Sequence, residues 1–169
     1  MKAAGRIRFV LLAAALGLLF ACGGHMPRIV VVKDSLSPEE RLNLGVAYEA
    51  RGEYEAAVEQ YEQAAAGPGL KGLALLYKGN ALLRMGKTTQ AEEAYRNAIK
   101  ADSSLAGAYN NLAWLYCSSG GNLEEAERLA ERAFELTGGK DSNVIDTLGA
   151  VRAALRGQTD ASGKLPCAP

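Results

Sequence analysis

The sequence predicts an all-α solenoid of stacked antiparallel helix pairs, and three observations lead there. Small residues recur at a spacing of 34 positions: Gly45 with Gly79, Gly52 with Gly86 and then Gly120, Ala57 with Ala91, and Ala64 with Ala98. A fixed period of this length marks an array of one repeated unit that buries its apolar face only by stacking on its neighbours. The small residues fall where two helices of a hairpin would cross closely, and the Gly between them suits the turn. Finally, Ala, Leu, Glu and Arg dominate the middle of the chain, while Phe and Trp total three and one residues. That composition fits packed helices.

The array starts at Ser37-Pro38-Glu39-Glu40. Ser37 is placed to cap the free amides, Pro38 suits the first helical position, and Glu40 completes a capping box. Two units of 34 residues follow, at about 38–71 and 72–105, separated by Gly67-Pro68-Gly69. Leu44-Gly45, Tyr48, Gly52, Ala57, Tyr61 and Ala64 mark the first; Gly79, Leu82, Gly86, Ala91, Tyr95 and Ala98 mark the second, with Lys78 in place of the expected Leu. A third unit, about 106–141, keeps Leu112-Ala113, Tyr116 and Gly120 but is one residue longer between Gly120 and Ala126, which predicts a longer turn. It carries Ala130 where the others have Tyr, so its second helix should pack closer or make a smaller contact. A last helix over 142–156, with Ile145, Leu148-Gly149 and Val151, is expected to cap the array.

These positions resemble the tetratricopeptide repeat. The resemblance implies a right-handed superhelical solenoid of about three units plus the C-terminal capping helix, whose first helices line a concave groove for a protein partner. The family's groove positions fall on Leu42, Val46 and Glu49 in the first unit and on Leu73, Leu76, Asn80, Leu83 and Arg84 in the second. In the third they fall on Asn110, Trp114, Cys117 and Ser118, and in the capping helix on Asp146. Trp114, the only tryptophan, is the expected anchor, because aromatic side chains dominate binding hot spots. The family's carboxylate clamp needs Lys and Asn where this chain has Leu42 and Val46. An apolar helix or extended segment is therefore the expected ligand.

Ahead of the array, Lys2, Arg6 and Arg8 precede an apolar run from Phe9 to Phe20, 12 residues long. This is short of the roughly 20 residues that span a bilayer as a helix, and it reads as a secretory signal. Leu19-Phe20-Ala21-Cys22-Gly23 resembles a bacterial lipobox, which implies a signal over 1–21 and a lipid on Cys22. Gly23, where an Asp would favour inner-membrane retention, points to the periplasmic face of the outer membrane if the source is Gram-negative. Residues 22–37 form the expected lipidated tether, in which Ile29–Val32 is β-branched and apolar, and 157–169 reads as a flexible tail.

The full chain balances 19 basic against 19 acidic residues, and removing the leader's three cations leaves a charge of about −3. With no basic cluster, nucleic acid is not an expected partner. The single histidine, His25, lies in the tether, away from any fold that could build a triad or a metal site around it. No phosphate loop is present, and the acid pairs Glu39-Glu40, Glu92-Glu93 and Glu124-Glu125 lie near helix starts, where they complement the helix dipole. The sequence thus argues for no catalytic residues, no metal, no cofactor beyond the lipid on Cys22, and no small-molecule substrate. Cys117 and Cys167 either pair in an oxidising compartment or remain a semi-buried thiol and a free tail thiol. Their spacing does not decide which.

Together these readings describe a membrane-anchored interaction module presenting its groove to an envelope protein. Alternatives are an accessory subunit for an exported peptidase or for a secretion, pilus or exopolysaccharide machine, or a self-associating structural protein.

Overall fold

In a computed structural model the chain is described over residues 36–159 and at 163, 166 and 167. The signal, Cys22, His25 and Ile29–Val32 lie outside these residues. Among the described residues seven helices follow one another: α1 (Pro38–Ala50), α2 (Tyr54–Ala64), α3 (Lys71–Arg84), α4 (Thr88–Ala101), α5 (Ala106–Ser118), α6 (Leu123–Leu136) and α7 (Ser142–Leu155). No strand occurs among the described residues. Each helix packs on the next, while α1 also touches α3 and α5 touches α7, so the odd-numbered helices form one layer and the even-numbered ones the other. This is the all-α solenoid the repeat predicts.

Local chemistry sets the boundaries. The Ser37 hydroxyl accepts the Glu40 amide at 3.1 Å while the Glu40 carboxylate accepts the Ser37 amide at 2.7 Å, with Pro38 at the first helical position. Two otherwise orphaned donors at the helix start are satisfied in this way. Gly52, Gly86 and Gly120 close the three first helices with φ of 77°, 73° and 64°, a conformation that costs a residue with a Cβ about 1 kcal/mol or more. The third hairpin turn is one residue longer than the first two, as its spacing predicts, and Asn122 uses that residue to cap α6 by accepting the Glu125 amide at 3.0 Å. Asp141 caps α7 through the Asn143 and Val144 amides.

Helix crossing distance is set by glycine against tyrosine. A Cβ at Gly45 would lie 2.5 Å from the Tyr61 ring, and one at Gly79 would lie 2.5 Å from the Tyr95 ring. Both rings are fully buried, so neither has room to retreat. In the third unit Ala113 and Ala130 occupy the corresponding places, both fully buried in one cluster, so a smaller pair replaces ring and notch. Lys78, the departure from the usual Leu, reaches across to α2 and pairs with Glu62 at 2.6 Å.

Among the described residues apolar side chains collect in three clusters along the array, the central one joining α3 to α7 through Leu76, Leu82, Tyr95, Leu112, Leu115 and Leu148. The last cluster includes one residue of the C-terminal segment. Cys167 is fully buried with Ala126, Val151 and Ala154, and it forms a disulfide with Cys117, the Cα atoms 5.8 Å apart across 50 residues. Cys167 is thereby fastened to α5 and α7. No helix among the described residues is long and apolar enough to cross a membrane.

Candidate partner-binding groove

Along the odd-numbered helices runs a trough. Its first part, about 460 Å³, is lined by Val46, Glu49, Tyr54, Tyr77, Asn80 and Arg84. The second, about 260 Å³, shares Glu49, Asn80 and Arg84 and continues past Leu83, Tyr95, Asn110, Asn111 and Trp114 to Thr147 on α7. Val46 and Trp114 are 45% and 37% exposed, unusually open for large apolar side chains, and supply its two apolar ends.

A hydrogen-bonded network forms the floor. The Tyr95 hydroxyl donates to Asn80 Oδ1 at 2.9 Å, and Asn111 Nδ2 donates to the same oxygen at 2.8 Å. Asn110 Nδ2 donates to Asn111 Oδ1 at 3.4 Å. Tyr61 donates to Glu49 at 2.8 Å. Burial pushes the hydroxyls of Tyr61 and Tyr95 well above the usual tyrosine range, and for Tyr61 the bond to Glu49 adds to it. Both therefore act as donors that hold Glu49 and Asn80 in place. At one side Arg84 Nε donates to the Tyr54 hydroxyl at 3.4 Å, with the guanidinium carbon 6.0 Å from the ring centre. Asn110 Oδ1 is buried with no hydrogen-bond partner among the described residues. Such an oxygen is costly to leave unpaired.

The structure brings together Val46, Glu49, Asn80, Leu83, Arg84, Asn110 and Trp114. Others of the expected residues lie elsewhere. Leu42 and Leu76 are 9% and 8% exposed and belong to the core, and half-buried Leu73 packs against the same clusters. The larger gain from burying a leucine than from exposing it in a trough turns these positions inward. Cys117 is fully buried and faces the disulfide, so it is not a groove residue. Ser118 donates to the Leu115 carbonyl, and exposed Asp146 is absent from the lining, where its neighbour Thr147 stands instead. Tyr54, Tyr77, Asn111 and Thr147 were not legible as lining, since each falls between the family's groove positions or on a second helix. Two adjacent amides, Asn110-Asn111, were the available signal.

Away from the trough, Tyr116 on α5 donates to Glu92 on α4 at 2.6 Å, and Arg96 Nε donates to the same carboxylate oxygen at 3.0 Å. The Tyr116 hydroxyl first, and then Arg96, hold the Glu92 carboxyl below its ordinary range against desolvation. A carboxylate with a depressed folded-state pKa stabilises the fold above the ordinary glutamate pKa and loses that contribution as pH falls through the folded value. Glu92→Gln is thus expected to cost up to about 1 kcal/mol at neutral pH, the pair being partly exposed. Urea titrations of both proteins should show the gap closing below about pH 4; a gap independent of pH would refute the assignment.

Stacked helical hairpins with an open trough on one layer define a repeat-type interaction scaffold. Tetratricopeptide-repeat profiles match residues 41–72 and 76–140, together more than half of the chain, and the protein belongs to that family. Among solved structures, the Sgt2 tetratricopeptide domain from Aspergillus fumigatus superposes with a TM-score of 0.65 at 21% identity, covering 71% of this chain and 80% of that one. The first such domain of Spaghetti (RPAP3), bound to the HSP90 peptide SRMEEVD, gives 0.64 at 22% identity, covering 75% and 98%. MamA gives 0.62 at 21%, covering 79% and 78%. These likenesses establish the fold. No curated protein matches the sequence.

Proposed function

We propose that the protein is a lipid-anchored scaffold of the bacterial cell envelope that holds an apolar helical or extended segment of another envelope protein in this trough. The observation that carries the reading is the exposure of two large apolar side chains, Val46 and Trp114, along one trough whose lining also holds Asn80, Asn110 and Asn111. Apolar side chains seated on Val46 and Trp114 would cover both, with the amide side chains of the lining beside them. The related fold of RPAP3 binds SRMEEVD, an acidic peptide. Here the trough offers Arg84 with Glu49 close by rather than a basic cluster, so an acidic terminus fits poorly and an apolar segment fits well. Pairing of Cys117 with Cys167 supports export, since such bonds persist in oxidising compartments. The lipobox-like run ending at Cys22 supports the anchor. Two acyl chains or more would hold the chain at the membrane durably, at about 0.8 kcal/mol per buried methylene.

The test is in-cell photo-crosslinking from Val46, whose exposed side chain tolerates replacement, with exposed Glu93 as control. One dominant adduct from Val46 and none from Glu93 is expected, whereas equal labelling would sink the groove as the working surface. With that partner purified, Trp114→Ala should weaken binding by about 2 kcal/mol, roughly thirtyfold. Lipid labelling that survives Cys22→Ser would refute the anchor.

A further inference from the structure

The outward face of α7 repeats a feature of α1 and α3 without its counterpart. Gly149 follows Leu148 as Gly45 follows Leu44, yet where Gly45 and Gly79 are filled by the rings of Tyr61 and Tyr95, a Cβ at Gly149 would meet nothing within 4 Å among the described residues. Around this notch lies a cleft of about 570 Å³ between α6 and α7, with Phe134, Ile145 and Leu148 as its apolar walls and Glu131, Glu135 and Arg152 at its rim. Phe134 and Ile145 are 39% and 45% exposed. The tail does not supply the missing side chain through its cysteine, because Cys167 is tied down against Val151 and Ala154, on the side of α7 that faces the core.

We propose that this end of the solenoid is a self-docking surface on which a second copy of the chain packs about a two-fold axis. Such an interface brings the same patch from both copies together, so the patch has to complement itself. Here one face carries both parts: projecting Phe134 and Ile145, and the open notch at Gly149. A folded second copy cannot offer Tyr61 or Tyr95, which are fully buried, but it can offer Phe134 and Ile145. Charge at the rim is also self-complementary. Arg152 pairs with Glu131 at 2.7 Å and Glu127 at 2.9 Å, and Arg132 pairs with Glu135 at 2.8 Å, all of them solvent-accessible. A two-fold axis lets these acids and guanidinium groups exchange partners between copies, whereas a ligand of one sign would meet repulsion. Thr147, on the opposite side of α7, lines the trough, so the trough stays open in the dimer.

Each copy would contribute one cleft with two exposed apolar side chains, so association should be weak and concentration-dependent. Sedimentation equilibrium of the full chain in density-matched detergent, over a concentration series, is the test. The wild type is expected to show a reversible monomer–dimer equilibrium. Gly149→Glu should raise the dissociation constant by about a hundredfold. Its melting temperature should not fall, because the new side chain meets no atom and Gly is a poor helix former. Ile145→Glu, at an exposed position, should act in the same direction. A wild type that stays monomeric throughout would overturn the proposal, as would a dimer indifferent to both variants. So would a chain that is monomeric alone but binds a different protein through Gly149.

Discussion

Gly79→Ala is expected to lower the unfolding free energy by about 2 kcal/mol, although Ala is the better helix former. The added methyl would sit 2.5 Å from the Tyr95 ring, which is fully buried and anchored through its hydroxyl to Asn80. Either the ring shifts and strains its bond to Asn80, or α3 and α4 separate. Tyr95→Ala alone should cost more, about 4 kcal/mol, by emptying the space the ring fills and removing the donor to Asn80. The third unit shows how the two changes combine, since Ala113 and Ala130 stand there in place of Gly and Tyr and are both fully buried. Gly79→Ala with Tyr95→Ala should therefore cost less than the sum of the single changes, by about 1–2 kcal/mol. Urea denaturation of the four proteins measures this directly. Strict additivity would show that notch and ring do not set the crossing distance.

Loss of the Cys117–Cys167 bond should be of similar size. A bridge closing 50 residues restricts the unfolded chain by an amount worth about 4 kcal/mol in the loop-entropy account. The double variant Cys117→Ala with Cys167→Ala, or the wild type under a reductant, is expected to lose about 3–4 kcal/mol. Amide exchange should rise first at the C-terminal turn of α7, around Ala154, which the buried bridge covers. The same denaturation midpoint with and without reductant would show that the bond does not hold the native state together. Because the trough borders α7 at Thr147, loosening this end should also weaken partner binding.

Much of the fold was legible because a repeat displays each constraint more than once. Gly52, Gly86 and Gly120 announce three turns, and Gly45 with Tyr61 predicts Gly79 with Tyr95 at the same spacing. The groove was less legible. Leu42, Leu76 and Asn110 hold the same position in successive units, yet the leucines turn into the core while Asn110 stays at the trough. Position in a repeat names a direction only approximately, and the side chain's own burial energy then selects the side. Tyr54 was missed for a different reason: it belongs to a second helix and reaches the trough only through its contact with Arg84 at the end of α3, 30 residues away.

Helix content, the hairpin period, the Ser37 capping box and the longer third turn followed from the sequence alone, because each depends on residues within a few positions or on a spacing repeated in phase. The pairing of Cys117 with Cys167, the buried and unpartnered Asn110 oxygen, and the open notch at Gly149 were decided by tertiary structure. Each depends on what distant parts of the chain bring, or fail to bring, to one point in space. Sequence spacing carries no record of that distance.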